Sequence, residues 1–192
     1  LLDRFFGKWV DLHQFQRTRG VLQTFAMALR DSEKWDESPL IGPQVFLGAP
    51  GQDGLSEALL KLAQAAKESN SKLPPWPENL KTEIPRALEA QKSDAPTLTG
   101  REIEAACVAS FIFSQPLGEQ AELGDLRWLL GSTCDMPAVL NAGLIAWSKV
   151  SWYLEECDST EAGTGVPRFW RLGPKPNLNQ IHDSYKQQAL KH

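Results

Sequence analysis

The chain has 192 residues, of which 42% are hydrophobic and 23% are charged, and its formal net charge is −4. These values are typical of a globular protein and exclude a largely disordered chain. No apolar run approaches the roughly 18–20 residues of a membrane-spanning helix, so we expect no membrane partner. The length fits one ordinary domain or two small ones, and because the first residue is not Met we expect a fragment of a longer protein.

Two helices are predicted in the first third of the chain. Residues 18–30 have apolar side chains at helical spacing, and Thr18 is in position to cap this helix. The predicted apolar stripe consists of Val21, Leu22, Phe25 and Leu29. Residues 55–68 repeat the helical pattern, with Asp53 as the candidate N-cap.

Proline and glycine interrupt the chain between and after these helices. Residues 36–54 predict a loop with one short strand at 45–47. Residues 69–79 include three prolines within four positions, which break regular structure. A short helix is predicted over 84–92, with Pro85 in its first turn.

A linker predicted over residues 92–98 divides the chain. We therefore expect two domains, residues 1–92 and residues 93–192.

The second half has a clearer helical pattern. A capping box, T-x-x-E at 99–102, opens a predicted helix over 100–114. A short leucine-rich helix over 120–131 follows. Asp135 is the candidate cap of a long helix over 136–156.

Strand and turn signals follow the long helix. Residues 158–166 predict a loop and residues 168–172 an aromatic strand, and Asn177 is the candidate cap of a last helix. This order of elements is typical of a winged-helix module. The predicted fold class is mainly α: a helical, lid-like segment followed by a winged-helix-like module with a short β-hairpin or strand pair.

Basic residues are concentrated at the end of the chain. Residues 166–192 have a net charge of +4, whereas the rest of the chain has −8. The predicted long helix has Lys149 as its one basic residue, which disfavours groove reading by that helix. The candidate DNA-binding residues lie instead in the predicted wing: Arg168, Trp170, Arg171 and Lys175.

Catalytic and metal-binding motifs are incomplete in the sequence. The glycines at 48–54 lack the Lys and the hydroxyl residue of a phosphate-binding P-loop. The three cysteines are widely spaced and form no C-x-x-C pair, which predicts free thiols in a reducing cytoplasm. We predict no catalytic residue, no metal site and no cofactor in this chain alone.

Arg17 and Arg19 lie at the start of the first predicted helix, where the helix dipole disfavours cations. Their position indicates an anionic partner. That partner is either an Asp or Glu elsewhere in the fold or the phosphate of a bound nucleotide.

Seven tryptophans are many for this length, and Trp is enriched at protein–protein contacts. Trp128 and Trp147 lie on leucine-rich helices and are predicted to be core residues. Trp76, among prolines, and Trp170, between arginines, are the candidates for exposure. A protein–protein interaction module is therefore one of the functions to consider.

Several blocks of sequence resemble a bacterial and archaeal family of large AAA-like ATP-binding proteins of uncharacterised function. The blocks are FQRTRGVL at 15–22, ALRD at 28–31, SPLIGP at 38–43, WRLG at 170–173 and PNLN at 176–179. Members of that family are often encoded beside a DNA methylase in phage-defence gene clusters.

The resemblance implies that the chain is the non-catalytic, C-terminal portion of such an ATPase, after its nucleotide-binding core. Residues 1–92 would belong to the helical lid, and Arg19, with Arg17 second, would sense the nucleotide. ATP and Mg²⁺ would bind the missing core. The implied partners are the rest of the ATPase chain, DNA, and a DNA methylase or other defence proteins. The alternative is a stand-alone winged-helix module that binds DNA or protein.

Overall fold

The computed structural model describes residues 18–38, 41–52, 54–67, 76–114, 119–130 and 137–190. Within these ranges the chain is mainly helical, with one two-stranded antiparallel sheet, which confirms the predicted mainly α class. The elements in chain order are α1 (Thr18–Ser32), a 3₁₀ helix (Pro43–Phe46), α2 (Glu57–Lys67), α3 (Trp76–Asp94), α4 (Glu102–Ser114), β1 (Ala121–Glu122), α5 (Leu123–Leu130), α6 (Pro137–Val150), β2 (Phe169–Trp170) and α7 (Leu178–Leu190). None of these helices is long and apolar enough to cross a membrane.

Helix α1 confirms the predicted helix but not its predicted buried face. Leu22 and Leu29 are 51% and 37% exposed, whereas Met27 and Ala28 are buried. The reason is that α1 packs against α2 and the 3₁₀ helix through Met27 and Ala28, together with the partly buried Phe25. Of the predicted stripe, Leu22 and Leu29 therefore lie on the outer side, whereas Phe25 packs against the core.

The apolar run at 45–47 forms part of a 3₁₀ helix and its exit, so the predicted strand is wrong. Proline at the first position favours a helical start. Phe46 is fully buried and meets the Phe25 ring edge-on, with 5.0 Å between the ring centroids. A buried apolar run does not distinguish strand from helix, and here packing decides.

The N-cap of α2 is Ser56 rather than Asp53, which lies outside the described residues. The Ser56 hydroxyl accepts a hydrogen bond from the Leu59 N–H at 3.0 Å. It also donates one to the Phe46 carbonyl oxygen. A single side chain thus starts α2 and joins it to the 3₁₀ helix.

Helix α3 is much longer than the helix predicted over 84–92. It begins at Trp76, with Pro77 in its first turn, and Pro85 lies inside it at an exposed position. An interior proline removes one backbone hydrogen bond, but the helix continues because it packs against both α4 and α6. Trp76, a candidate for exposure, is buried with 3% of its surface accessible.

Helix α4 is the centre of the core, because each of its thirteen residues is buried. Helix α6 approaches it closely at Gly143, where a Cβ atom would lie 2.7 Å from the Cδ1 atom of Ile103. A larger residue at position 143 would therefore require the buried Ile103 side chain to shift. Buried residues from α3 through β2 belong to one continuous cluster, and the division of the chain after residue 92 stays a prediction.

The capping box predicted at 99–102 does not form as predicted. Helix α4 begins at Glu102, two residues later than predicted, so the Glu102 carboxylate lies in the first turn and accepts a hydrogen bond from the Gly100 N–H at 3.1 Å. The buried Gln91 side chain of α3 binds the same segment. It donates to the Gly100 oxygen at 2.8 Å and to Glu102 at 3.0 Å, and it accepts from the Ile103 N–H at 3.0 Å.

The short sheet confirms a strand within residues 168–172. Strand β1 pairs antiparallel with β2, with Ala121 opposite Trp170. Isolated bridges pair Leu154 with Leu172 and Thr160 with Pro167. Residues 154–172 therefore form an antiparallel ribbon that lies beside β1, and we refer to them as the ribbon.

Two further boundaries concern α6 and α7. Helix α6 ends at Val150, so the prediction of a helix to residue 156 is wrong, and the following residues enter the ribbon instead. Asp135 lies outside the described residues. Asn177 does cap α7, because its side-chain oxygen accepts hydrogen bonds from the N–H groups of Asn179 and Gln180 at 3.1 and 3.4 Å.

Candidate interaction site

The residues predicted to sense nucleotide lie at the start of α1. Arg19 is exposed in the first turn of this helix. Arg17 lies outside the described residues. The exposed guanidinium leaves Arg19 accessible to a partner surface.

Three of the four predicted DNA-binding residues are exposed: Arg168, Arg171 and Lys175. Trp170 is different, because its side chain is fully buried and its ring stacks on Trp147, with centroids 5.4 Å apart and planes 14° apart. Its indole N–H donates to the Pro167 carbonyl oxygen at 2.9 Å. Trp170 therefore anchors the ribbon on the core, and its assignment to DNA contact is corrected.

The ribbon also brings acidic residues beside the predicted basic wing. The Arg171 Nε atom lies 3.6 Å from a carboxylate oxygen of Glu155. Glu156 and Asp158 are exposed on the same strand. Residues 154–175 contain four acids and three bases, so this stretch of sequence has a net charge of −1. Because Arg127 of α5 pairs with Glu161, the charges of the folded surface sum to zero.

A bidentate ion pair joins the ribbon to α5. The Arg127 guanidinium donates to the two Glu161 carboxylate oxygens at 2.6 and 2.7 Å, and it also contacts the Asn141 side chain at 3.0 Å. Hydrogen bonds from Arg127 and from Thr164 lower the pKa of Glu161 to about 2. The ion pair therefore fixes the turn of the ribbon against the surface of α5.

Trp128 lies next to this ion pair and is 77% exposed, so its predicted place in the core is wrong. Leu123, Leu126, Leu129 and Leu130 form the buried face of α5. At 100° per residue, Trp128 lies on the opposite side of the helix from these leucines. The spacing within α5 was the signal that could have identified it as a surface residue.

Helix α6, which would occupy the position of a recognition helix, is largely used for packing. Leu140, Leu144 and Trp147 are buried, and α6 packs along α3 and α4. Lys149 is exposed near its C-terminal end. Helix α6 therefore presents few basic groups that could bind the phosphates of a DNA backbone.

Two cavities, of about 410 and 460 Å³, lie on either side of Arg101. The Arg101 guanidinium donates to both Glu104 carboxylate oxygens, at 2.8 and 2.6 Å, and to the Gly48 carbonyl oxygen. The Trp35 ring lies 5.5 Å from it. Because Glu104 is buried and neutralises this cation, the pair joins the glycine-rich loop to α4.

Within the described ranges, no group of three or more His, Cys, Asp or Glu residues is arranged to hold a metal ion. Cys107 is a buried free thiol, and burial raises its pKa well above the ordinary value. Comparison of the chain with protein-family models, curated proteins and solved structures found no significant match.

Proposed function

We propose that the chain is a non-catalytic, winged-helix-like interaction module that contacts protein through Trp128. The observation that carries this proposal is the 77% exposure of Trp128, in a fold that buries Trp76, Trp147 and Trp170. Tryptophan is one of the residue types enriched among the few residues that contribute most of the binding energy at protein–protein interfaces.

The order of elements supports the winged-helix-like part of the proposal. Helix α4, strand β1, helices α5 and α6 and then the ribbon follow one another, and the returning strand β2 pairs with β1. Winged-helix modules have this arrangement of three helices and a small sheet.

Charge favours protein over DNA as the partner of the ribbon. DNA binding requires cations that neutralise phosphates. The ribbon pairs Arg171 with Glu155 and places Glu156 and Asp158 nearby, while α6 offers Lys149 alone among basic residues. An approaching phosphate would therefore meet carboxylates as well as guanidinium groups.

The resemblance to AAA-like ATP-binding proteins supplies the proposed partner, which is the remainder of the ATPase chain. The decisive experiment mixes the chain with that remainder, expressed separately, and measures binding by calorimetry. Trp128→Ala is expected to weaken binding by about 30-fold or more, the effect of losing a hot-spot residue worth about 2 kcal/mol. Leu178→Ala, at a 74% exposed residue of α7, is the matched control.

Equal binding by wild type and Trp128→Ala would refute the proposal. A second outcome would favour the DNA-binding alternative: the chain binds duplex DNA at low salt, and both Arg168→Ala and Arg171→Ala weaken that binding. Binding of this kind also decreases steeply as salt is added.

Nucleotide coupling through Arg19 is the part of the proposal that rests on the resemblance and on the exposure of this residue. Within the full-length ATPase, with ATP and Mg²⁺ bound in its core, Arg19→Ala is expected to lower ATP hydrolysis sharply while the fold is kept. Arg30→Ala, at the other end of the same helix, is the matched control. Unchanged hydrolysis in Arg19→Ala would remove the sensing role.

A further inference from the structure

Helix α6 ends at Val150 although the sequence directly beyond it contains no Gly or Pro. Residues 151–156 read Ser-Trp-Tyr-Leu-Glu-Glu, and the next glycine is Gly163. Helices usually end at Gly, or shortly before Pro. Leu and Glu favour helix, and Leu154 continues the buried face of Leu140 and Trp147 at helical spacing. One local signal is Ser151, whose hydroxyl accepts a hydrogen bond from the Leu154 N–H at 2.9 Å. The other groups that bind the end of α6 come from other elements.

Glu83 of α3 accepts hydrogen bonds from groups at the end of α6, including the backbone N–H that would form the next hydrogen bond of the helix. It is fully buried, and one carboxylate oxygen accepts from the Trp152 N–H at 2.7 Å. The other accepts from the Ser151 hydroxyl at 2.6 Å and from the Trp147 indole N–H at 3.4 Å. In a continuing helix, the Trp152 N–H would instead donate to the Ser148 carbonyl oxygen.

Two further side chains bind the carbonyl groups at the end of α6. The Gln180 side-chain amide, from α7, donates to the Ser148 oxygen at 3.0 Å. The Arg86 guanidinium, from α3, donates to the Val150 oxygen at 3.3 Å. Arg86 also stacks on the Trp152 ring, 3.6 Å from its centroid. The backbone groups of this helix end are thus satisfied from other elements.

The residues released from the helix join the ribbon and the turn before α7. The Trp152 carbonyl oxygen accepts from the Asn177 N–H at 2.6 Å, and the Tyr153 oxygen accepts from the Gly173 N–H at 2.8 Å. The Glu155 N–H donates to the Arg171 oxygen at 2.9 Å. The antiparallel bridge between Leu154 and Leu172 requires extended backbone at residue 154, so it cannot coexist with a helix that runs through this residue.

We propose that Glu83, Arg86 and Gln180 form a latch that holds α6 at Val150 and so sets the position of the ribbon. When the latch is removed, α6 extends through Leu154. The extended helix satisfies two of the three released donors, because the Ser148 oxygen accepts the Trp152 N–H and the Trp147 oxygen accepts the Ser151 hydroxyl. The third, the Trp147 indole N–H, loses its acceptor. Since Gln180 comes from α7, a partner that displaces α7 would loosen the latch and move the ribbon.

The test uses the full 192-residue chain. Glu83→Met removes the acceptor with a side chain of similar length, and Glu89→Met, at an exposed residue of the same helix, is the matched control. NMR secondary shifts of Trp152 and Tyr153 are expected to become helical in Glu83→Met alone. The Gly173 amide, which loses its acceptor, is expected to exchange with solvent at least about tenfold faster.

A folded Glu83→Met variant that keeps the wild-type shifts and the wild-type exchange at these positions would overturn the latch. If Glu83→Met does not fold, the double variant Arg86→Met with Gln180→Ala, at two partly exposed residues, tests the part of the latch that binds the carbonyl groups. Because Glu83 still accepts from the Trp152 N–H in that variant, the expected result is that the Trp152 and Gly173 amides exchange at least about tenfold faster than in the wild type. Unchanged exchange of both amides overturns the latch.

Discussion

The buried carboxyl group of Glu83 is expected to make the stability of the fold depend on pH. Burial raises its pKa above the ordinary value of 4.5, and this effect exceeds the opposing effects of its hydrogen bonds and of Arg86. The folded state therefore holds the proton more tightly than the unfolded state. The resulting stabilisation is complete below about pH 4.5 and is lost as the pH rises through the pKa of the folded state.

In Glu83→Gln, residue 83 no longer titrates, so comparison with the wild type measures how much the Glu83 carboxyl contributes to the pH dependence of stability. Between the pKa values of the unfolded and folded states, the wild type is expected to lose about 1.4 kcal/mol of stability per pH unit through this group. Gln retains one acceptor oxygen, as the protonated carboxyl of the wild type does, and its amide nitrogen can donate to the Ser151 hydroxyl. Glu83→Gln is therefore expected to have a stability close to that of the protonated wild type, and this stability is expected not to change with pH through residue 83.

Urea unfolding of wild type, Glu83→Gln and the exposed control Glu89→Gln, from pH 4.5 upward, measures both effects. The wild type is expected to be at its most stable at the acidic end, where its stability is close to that of Glu83→Gln. Its stability is expected to fall below that of Glu83→Gln as the pH rises, while its difference from Glu89→Gln changes little. A constant difference between wild type and Glu83→Gln across the range would refute the reasoning about burial.

Three other variants test the packing, the cap and the ion pair. Trp170→Ala removes the ring stacked on Trp147 and is expected to lower the free energy of unfolding by about 3–5 kcal/mol in chemical denaturation. Ser56→Ala removes the N-cap of α2 and is expected to cost about 1 kcal/mol in the same assay. Arg127→Met is expected to move the NMR titration midpoint of Glu161 from about 2 toward its ordinary 4.5. Because that pKa is lowered in the fold, the wild type should lose more stability through this group than Arg127→Met does as the pH falls from 4.5 toward 2, since only the Thr164 hydrogen bond remains in the variant.

The sequence pattern predicted those helices and caps that are determined by residues close to one another in the chain. The leucine spacing of α5 and the Asn177 cap of α7 are examples, since each depends on residues within a few positions of one another. The helix in α1 was also predictable. Its buried face was not, because the choice between two neighbouring stripes depends on the partner helix rather than on α1 itself.

Where distant residues supply the hydrogen bonds, the sequence pattern was misleading. The start of α4 depends on Gln91, and the end of α6 on Glu83, which precedes Trp152 by 69 residues. Long-range pairing of this kind has no local signature. Pro85 illustrates the same point, because the packing of α3 on both sides outweighs a residue that locally disfavours a helix interior.

The net charge of the candidate site depends on which segments the fold brings together, and not only on which charges are neighbours in sequence. Along the sequence, residues 166–192 form a separate basic end with a net charge of +4. In the fold, the bridges at Leu154 and Thr160 bring the acidic arm of the ribbon against the basic one. The four acids of residues 154–175 are then balanced by the three bases of the same stretch and by Arg127. An approaching phosphate is attracted or repelled mainly by the charges within the Debye length, about 10 Å at 0.1 M salt. The pairing of the strands therefore weakens the case for DNA binding and leaves Trp128 as the more distinctive surface feature.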